Sequence, residues 1–424
     1  MAVSSKKTVS KTKAPVKKAA PAAKKTAKKA SAPAPANKNR VEKTGAASCG
    51  CCSSHDNHSV CGEEKINLGV FFGGRSSEHE VSLVSAKNII EAIDKDKYNV
   101  IPVGITKNGN MVYLKNSLDP VEIIKNGVHA IFIAQPDVSH NLWIIDDNNK
   151  GGIEVINIEI AFPVLHGPFG EDGKVQALFE MAAIPYIGSE VLGSAAAMDK
   201  TIMKSLFMSY DLPIVNFVHF TVYDYKHNKK EVVNAIKSSL QLPYFVKPAN
   251  LGSSVGITKV TKITGLEAAI KTAGQYDNKI IVEQGHDVRE IEVAVMGNFE
   301  LEAAEPGEVI PAAEFYDYND KYKAGKAKFC IPAKLPKEQL EDIKELALAA
   351  YRAVDAKGFA RVDMFVDKKT QEIYVNEINT IPGFTSISMF PKMFEASGMS
   401  YGQIVEKLIG YAIELFEAKC ALKV

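Results

Sequence analysis

At 424 residues the chain is long enough for two or three domains, and 46% hydrophobic with 24% charged residues is the composition of a globular protein. No apolar run approaches the roughly 18 residues that a membrane-spanning helix needs, which excludes a helical membrane protein. A formal net charge of +1 conceals two opposed parts: residues 1–43 carry thirteen Lys or Arg and one acid, Glu42, which leaves 38 basic and 49 acidic side chains beyond them.

Residues 1–43 are mostly Lys, Ala, Pro, Ser and Thr, with too little apolar surface to offset ordering entropy, so disorder is expected. They lack the apolar stretch of a secretory signal and the Arg content of a transit peptide. The segment reads either as a weak, salt-sensitive polyanion binder or as a solubilising tether. Cys49, Cys51, Cys52 and Cys61 follow, with His55 and His58 among them. Zinc sites draw on such ligands, but the adjacent Cys51-Cys52 pair and the polar flanks favour an adventitious or redox-sensitive linker. Cys330 and Cys420 stand far apart, so the body reads as cytoplasmic with free thiols.

From Lys65 the pattern becomes α/β. An apolar strand is expected over 66–72, then a Gly73-Gly74 turn and an amphipathic helix over 81–93. Further strands over 98–106 and 161–165 and a helix over 175–183 fit a parallel sheet. His166 follows the second of these strands; a lone histidine there is ordinarily a satisfied structural imidazole. A helix over 198–210 opens a second region with strands over 244–247 and 255–260 and a helix over 266–273. Between those strands, Lys247-Pro-Ala-Asn-Leu-Gly-Ser-Ser-Val-Gly256 sets a lysine at a strand end before a small flexible loop. Backbone N–H groups of such a loop can approach phosphate oxygens, with Lys247 as a point charge. The signal is weak alone, and it is neither a Walker A motif nor a dinucleotide fingerprint. A third region begins near Lys279 and holds helices over 337–354, 389–396 and 401–418.

The strongest constellation is Phe359-Ala-Arg-Val-Asp-Met-Phe-Val-Asp-Lys-Lys-Thr-Gln-Glu-Ile-Tyr-Val-Asn-Glu-Ile-Asn379, two alternating strands about a turn at 367–370. Side chains two apart share a face, so Arg361 points with Asp363, and Glu377 with Asn379. A hairpin register that sets Asp363 opposite Glu377 puts two carboxylates together, which suits Mg²⁺ bridging nucleotide phosphates. The alternative is a solvated charged face; Val362, Phe365 and Val375 as a buried opposite side favour the metal.

These segments together resemble the D-alanine–D-alanine ligases of the ATP-grasp superfamily, from about Lys65 to Phe416. The resemblance rests on Gly73-Gly-Arg-Ser-Ser-Glu-His-Glu-Val-Ser-Leu83, Leu165-His-Gly-Pro-Phe-Gly-Glu-Asp-Gly173, Met198-Asp-Lys200 and the 247–256 loop. Tyr318-Asn-Asp-Lys-Tyr322, the Arg361/Asp363 strand and Glu377-Ile-Asn-Thr-Ile-Pro-Gly-Phe-Thr-Ser386 complete it in order. It implies a three-domain ATP-grasp ligase of α/β and α+β class: a parallel α/β domain over 65–189, a central domain over 190–284 and a C-terminal domain over 285–424, behind a disordered 1–64. It further implies ATP and two Mg²⁺, with Mn²⁺ as the alternative ion, as cofactors, two D-alanines as substrates, and a homodimer in the cytoplasm with no membrane partner.

Carried over residue by residue, the resemblance places Lys200, Lys247, Ser254 and Lys321 on the phosphates and Glu283 and Glu290 at the adenine and ribose edge. Asp363, Glu377 and Asn379 become metal ligands. Glu78 takes the ammonium of the first D-alanine, Ser388 the carboxylate of the second, and Arg361 with the Gly383 N–H an oxyanion. Ser253, Tyr322 and Glu78 form a link that closes a lid over 314–328. His166, with Glu171 as its partner, lies near the substrates. Pro168-Phe169 departs from a glycine-rich turn and should alter local shape. Met389 beside Ser388 matches a D-alanine type over siblings that use D-serine or D-lactate. A nucleic-acid-binding protein with a dead body is the reading the basic tail alone would support; it predicts lost metal ligands, yet all three are present.

Overall fold

β-branched and aromatic residues crowd the first strand, β1 (Ile66–Gly73), where Leu68, Val70, Phe71 and Phe72 are wholly buried in a computed structural model that describes residues 64–136, 141–145, 152–310 and 328–423. β1 runs parallel to β2 (Tyr98–Ile105) on one side and to β7 (Ile160–Val164) on the other. Helices α1 (His79–Ala92), α2 (Pro120–Asn126) and α3 (Lys174–Met181) accompany this part. The expected parallel sheet therefore forms, but it continues beyond β2 as an antiparallel meander. β3 (Met111–Tyr113), β4 (Val128–Phe132), β5 (Leu142–Ile145) and β6 (Ile153–Ile156) give the sheet order β6-β5-β4-β3-β2-β1-β7. Most of these connections are too short for a crossover, and β4 and β5 alternate buried with exposed positions, as a one-sided antiparallel sheet does.

The second region opens with α4 (Val191–Met198) and α5 (Lys200–Ser209), where one helix over 198–210 is expected. Asp199 separates them in extended backbone, and its carboxylate accepts from the amides of Thr201 and Ile202, which caps α5. An antiparallel sheet follows in the order β10-β9-β11-β8, from β8 (Phe217–Thr221), β9 (Tyr244–Pro248), β10 (Thr258–Val260) and β11 (Lys279–Gln284). α6 (Val222–His227) and α7 (Lys229–Ser239) follow β8, and α8 (Leu266–Ala273) packs on β9 and β10. The strand expected over 255–260 starts only at Thr258, because the preceding residues turn.

The third sheet is antiparallel, with order β15-β14-β12-β16-β17 and β13 attached to β12. Its strands are β12 (Val288–Met296), β13 (Glu302–Ala303), β14 (Gly307–Ile310), β15 (Lys328–Cys330), β16 (Phe359–Asp367) and β17 (Ile373–Asn379). Val293, Val362, Met364 and Val375 of one face share a core with Met203 and Phe207 of α5 and with Ile343, Ala347 and Tyr351 of α9 (Lys337–Ala353). Phe384, with Phe390 of α10 (Met389–Ala396) and Leu408 of α11 (Tyr401–Cys420), packs instead with Leu68, Phe72 and Ile89 of the first sheet and α1. That shared core brings the N-terminus of α1 and the end of β7 against the loop after β17. No described helix is long and apolar enough to cross a membrane.

Candidate active site

Alternation along β16 buries Ala360, Val362, Met364 and Val366 and turns Arg361, Asp363 and Phe365 to the other face. Phe365 thus lies on the polar face, and Met364 takes the buried position expected of it; the strict two-residue period leaves no other choice. Register sets Glu292 of β12 and Glu377 of β17 on either side of Asp363, with Asn379 opposite Arg361. Three carboxylates in one row repel, and two cations hold them together. The Arg361 guanidinium donates to both Asp363 oxygens at 2.6 and 2.7 Å and lies 3.2 Å from Glu292. Lys200 Nζ stands 3.2 Å from Glu377. Glu290 shares this face, two residues before Glu292.

Oxygens from Asp, Glu and Asn are the hard donors that Mg²⁺ takes, so the row Asp363, Glu377 and Asn379 fits that ion chemically. Among the described residues no three His, Cys, Asp or Glu side chains already converge on one point. Arg361 and Lys200 occupy the oxygens instead.

Across the cleft, β9 carries Lys247 and β11 carries Glu283. Lys247 Nζ lies 2.5 Å from one Glu283 oxygen and Lys204 Nζ 3.0 Å from the other, and all three side chains are buried. Burial alone would raise the Glu283 pKa, but the two ammoniums outweigh it and hold the carboxyl at about 2. Burial likewise pulls Lys247 down, and the charges of Glu283, Glu377 and Glu290 more than restore it. With an oxygen toward each lysine, the Glu283 carboxylate ties Lys247 and Lys204 together beneath the cleft. Lys200 donates to the Leu251 carbonyl at 2.9 Å. Glu171, Lys200, Leu251, Gly252, Glu377, Asn379 and Thr380 line one cleft.

The loop from Gly252 holds Ser253 and Ser254 at φ 52° and 60°, a left-handed backbone that costs energy for non-glycine residues. In that conformation Ser253 Oγ donates to the Glu78 carboxylate, which forms one side of the expected link. Gly167 closes over the same carboxylate: at φ 76°, a Cβ there would stand 2.7 Å from Ser76 Oγ and 2.8 Å from Glu78 Oε2. Lys321 and Tyr322, with nearly all of the 314–328 lid, lie outside the described residues. Beside this loop Phe169, at φ 70°, carries the Arg75 guanidinium 5.1 Å and the Lys174 ammonium 5.2 Å from its ring centre. The departure at Pro168-Phe169 thus builds a cation–π stack at the edge of the motif.

His166 is buried and uses both ring nitrogens. Nδ1 lies 3.0 Å from the Ile381 carbonyl, which only an N–H can satisfy, so Nε2 accepts from Ser85 Oγ at 3.0 Å. The amide of Phe384 donates to the same Ser85 oxygen at 3.2 Å. Burial lowers the His166 pKa despite the nearby Glu78 charge, which keeps the ring neutral. Glu171, 3.9 Å away, is pushed up to about 8 by burial first and by Glu78 second. Ser388 Oγ accepts from the Thr385 amide at 2.9 Å, and a Cβ on Gly383 would come 2.9 Å from that oxygen. Met389 is 4% exposed and packs on Gly307, so it belongs to the core.

Three contributors escaped sequence reasoning. Glu292 was legible, two positions from Glu290 in an alternating strand. Ser85 lies three residues after Ser82 on one helix face, a weaker signal. Lys204 gave none, since a lysine on an amphipathic helix ordinarily faces water.

Two family models match the chain: "D-ala D-ala ligase N-terminus" over residues 67–189 and "D-ala D-ala ligase C-terminus" over residues 206–410. The D-alanine–D-alanine ligase of Thermoanaerobacter sp. (strain X514) is 46% identical over 361 residues, 84% of this chain and 99% of that protein. Among solved structures, the D-alanine–D-alanine ligase from Coxiella burnetii superposes with a TM-score of 0.73 at 31% identity, covering 84% of this chain and 96% of its own. The VanG D-Ala:D-Ser ligase from Enterococcus faecalis gives 0.69 at 36% identity, over 82% of this chain and 100% of its own.

Proposed function

The chain belongs to the D-alanine–D-alanine ligase family, and on that premise we propose how its residues divide the work. The reaction is the ATP-dependent joining of two D-alanines into D-alanyl-D-alanine, a peptidoglycan precursor. ATP lies between the second and third sheets, with its phosphates at Lys200, Lys247, Lys321 and the Ser254 loop and its ribose toward Glu290. Asp363, Glu377 and Asn379 would hold Mg²⁺, or Mn²⁺, which when bound neutralises charge on the β- and γ-phosphates.

Glu78, fixed by Ser253, takes the ammonium of the first D-alanine. That substrate's carboxylate attacks the γ-phosphorus, ADP leaves, and a D-alanyl phosphate forms. The amine of the second D-alanine, held through its carboxylate by Ser388, then attacks the acyl carbon and expels phosphate. Arg361 and the Gly383 N–H face the oxyanion of that step. Acyl phosphates hydrolyse, so the Ser253 loop and the 314–328 lid serve to exclude water. His166, through its bonds to Ser85 and the Ile381 carbonyl, orients the loop that bears Gly383. The domain division 65–189, 190–284 and 285–424 is supported by each sheet lying within one range. We also propose a homodimer, which sedimentation velocity tests.

The observation that carries this reading is the row Glu292, Asp363 and Glu377, held by Arg361 and Lys200 at a cleft that also takes the Gly252 loop. Phosphate release from ATP and Mg²⁺ should require D-alanine and yield the dipeptide. D-Serine, D-lactate and L-alanine form the other arms, because the 36% identical D-Ala:D-Ser ligase makes D-serine the runner-up second substrate. Preferred turnover with D-alanine plus D-serine over D-alanine alone would move the assignment to that sibling.

A further inference from the structure

The reaction as described uses Lys200 and Lys247 and leaves Lys204 idle, although Lys204 is 1% exposed. An ammonium buried that deeply is costly unless its partners are well placed. It lies one turn after Lys200 on α5, and its two contacts belong to different sheets. One is Glu283 of β11 at 3.0 Å; the other is the main-chain carbonyl of Asn376 on β17, also at 3.0 Å.

Asn376 is no ordinary strand residue. Asp363 faces Glu377 while the next residue, Met364, faces Val375, so the register skips Asn376 and β17 bulges there. Val375 is buried, and Asn376 and Glu377 both lie on the half-buried side before Ile378 is buried again. A bulge adds one residue and reverses the side-chain alternation beyond it. Without it, Glu377 and Asn379 would follow Val375 into the core face, and Asp363 would keep only Glu292 beside it.

We propose that Lys204 is a positioning residue for the ligase reaction: by holding the Asn376 carbonyl it pins the bulge that turns Glu377 and Asn379 toward Asp363, and by sharing Glu283 with Lys247 it ties that hairpin to the phosphate-binding side of the cleft. Two sheets that must face each other across ATP are joined beneath it by one side chain. The inference rests on Asp363, Glu377 and Asn379 being the divalent-ion ligands, and its test separates the two.

Lys204→Met keeps most of the side chain's length and removes the charge and the donor. The probe is Mn²⁺ with ADP on the full chain, read by electron paramagnetic resonance, beside the Mg²⁺ dependence of phosphate release. The expected result is a half-saturating metal concentration raised about tenfold or more, the scale of a lost bond to a charged group, with the KM for D-alanine unchanged. A lowered melting temperature with metal dependence intact would make Lys204 merely structural and overturn the proposal. Should that variant not fold, Lys204→Gln, which is uncharged and one bond shorter and so cannot span Glu283 and the Asn376 carbonyl together, is read in the same way. Asp363→Asn supplies the control: if it leaves Mn²⁺·ADP binding unchanged, the metal-ligand assignment fails, whereas unchanged binding in the Lys204 variant alone removes only this inference.

Discussion

Glu171 has an inverted pH signature among the carboxyls of the cleft. Burial and the Glu78 charge push its pKa from the ordinary 4.5 up to about 8, so the native state keeps a proton that the unfolded chain gives up. Between those two values the folded form binds more protons than the unfolded one, and raising the pH therefore favours unfolding. Glu171→Gln cannot ionise, so its melting temperature should fall less than the parent's between about pH 5 and about pH 8; parallel losses would show that Glu171 titrates normally. Ser253 offers a second residue-level test. Its hydroxyl reaches Glu78 across 175 positions of sequence. Ser253→Ala should weaken D-alanine use by roughly tenfold, the worth of a hydrogen bond to a charged group, while ATP binding changes little. Combined with Tyr322→Phe, the loss should stay well below the sum of the singles if the three residues act as one link. Additive losses in the steady-state constants would dissolve it. The sequence placed both serine and glutamate in motifs, but the neutral, doubly bonded state of His166 depends on Ser85 and Ile381, which no local pattern joins to it.

Elements were legible where a side-chain period ran unbroken and not where a single residue interrupted it. The unbroken alternation of β16 gives the face that carries Arg361 and Asp363, whereas the Asp363–Glu377 pairing is met because β17 takes in one extra residue. The bulge interrupts that alternation in β17, where Asn376 and Glu377 stand side by side between the buried Val375 and Ile378. Asp199 is a similar interruption: a continuous helix over 198–210 is the natural reading of its surroundings, yet its carboxylate caps α5 and also pairs with Lys279 at 2.5 Å. That cap sets the direction of the helix carrying Lys200 and Lys204. Asp199→Ala should therefore destabilise the protein by about 1–2 kcal/mol in urea unfolding, the usual worth of an N-cap, and raise the KM for ATP. A stability loss with unchanged ATP kinetics would separate the cap from the site.

At the scale of the whole molecule, the first sheet shares its core with α10 and α11, so the two ends of the folded body are one packed unit. No site residue precedes Glu78, and deleting residues 1–64 leaves β1 intact. The deletion should fold and keep kcat within about twofold of the full chain. It should also lose any salt-sensitive affinity for a polyanion such as heparin. A folded but inactive product would put the basic segment in the site. What the sequence determined by itself was local and periodic: which segments are strands and helices, the opposed charges of tail and body, and a series of motifs specific enough to identify the family and its reaction. Only the tertiary structure decided which cation meets which carboxylate. Lys204 meets Asn376 across 172 residues and His166 meets Ile381 across 215, and a strand or helix period carries no information over such distances. Those pairings follow from how three sheets pack, because an ion pair or a hydrogen bond buried beneath a cleft forms only where two separately folded surfaces bring its partners within about 3 Å of each other.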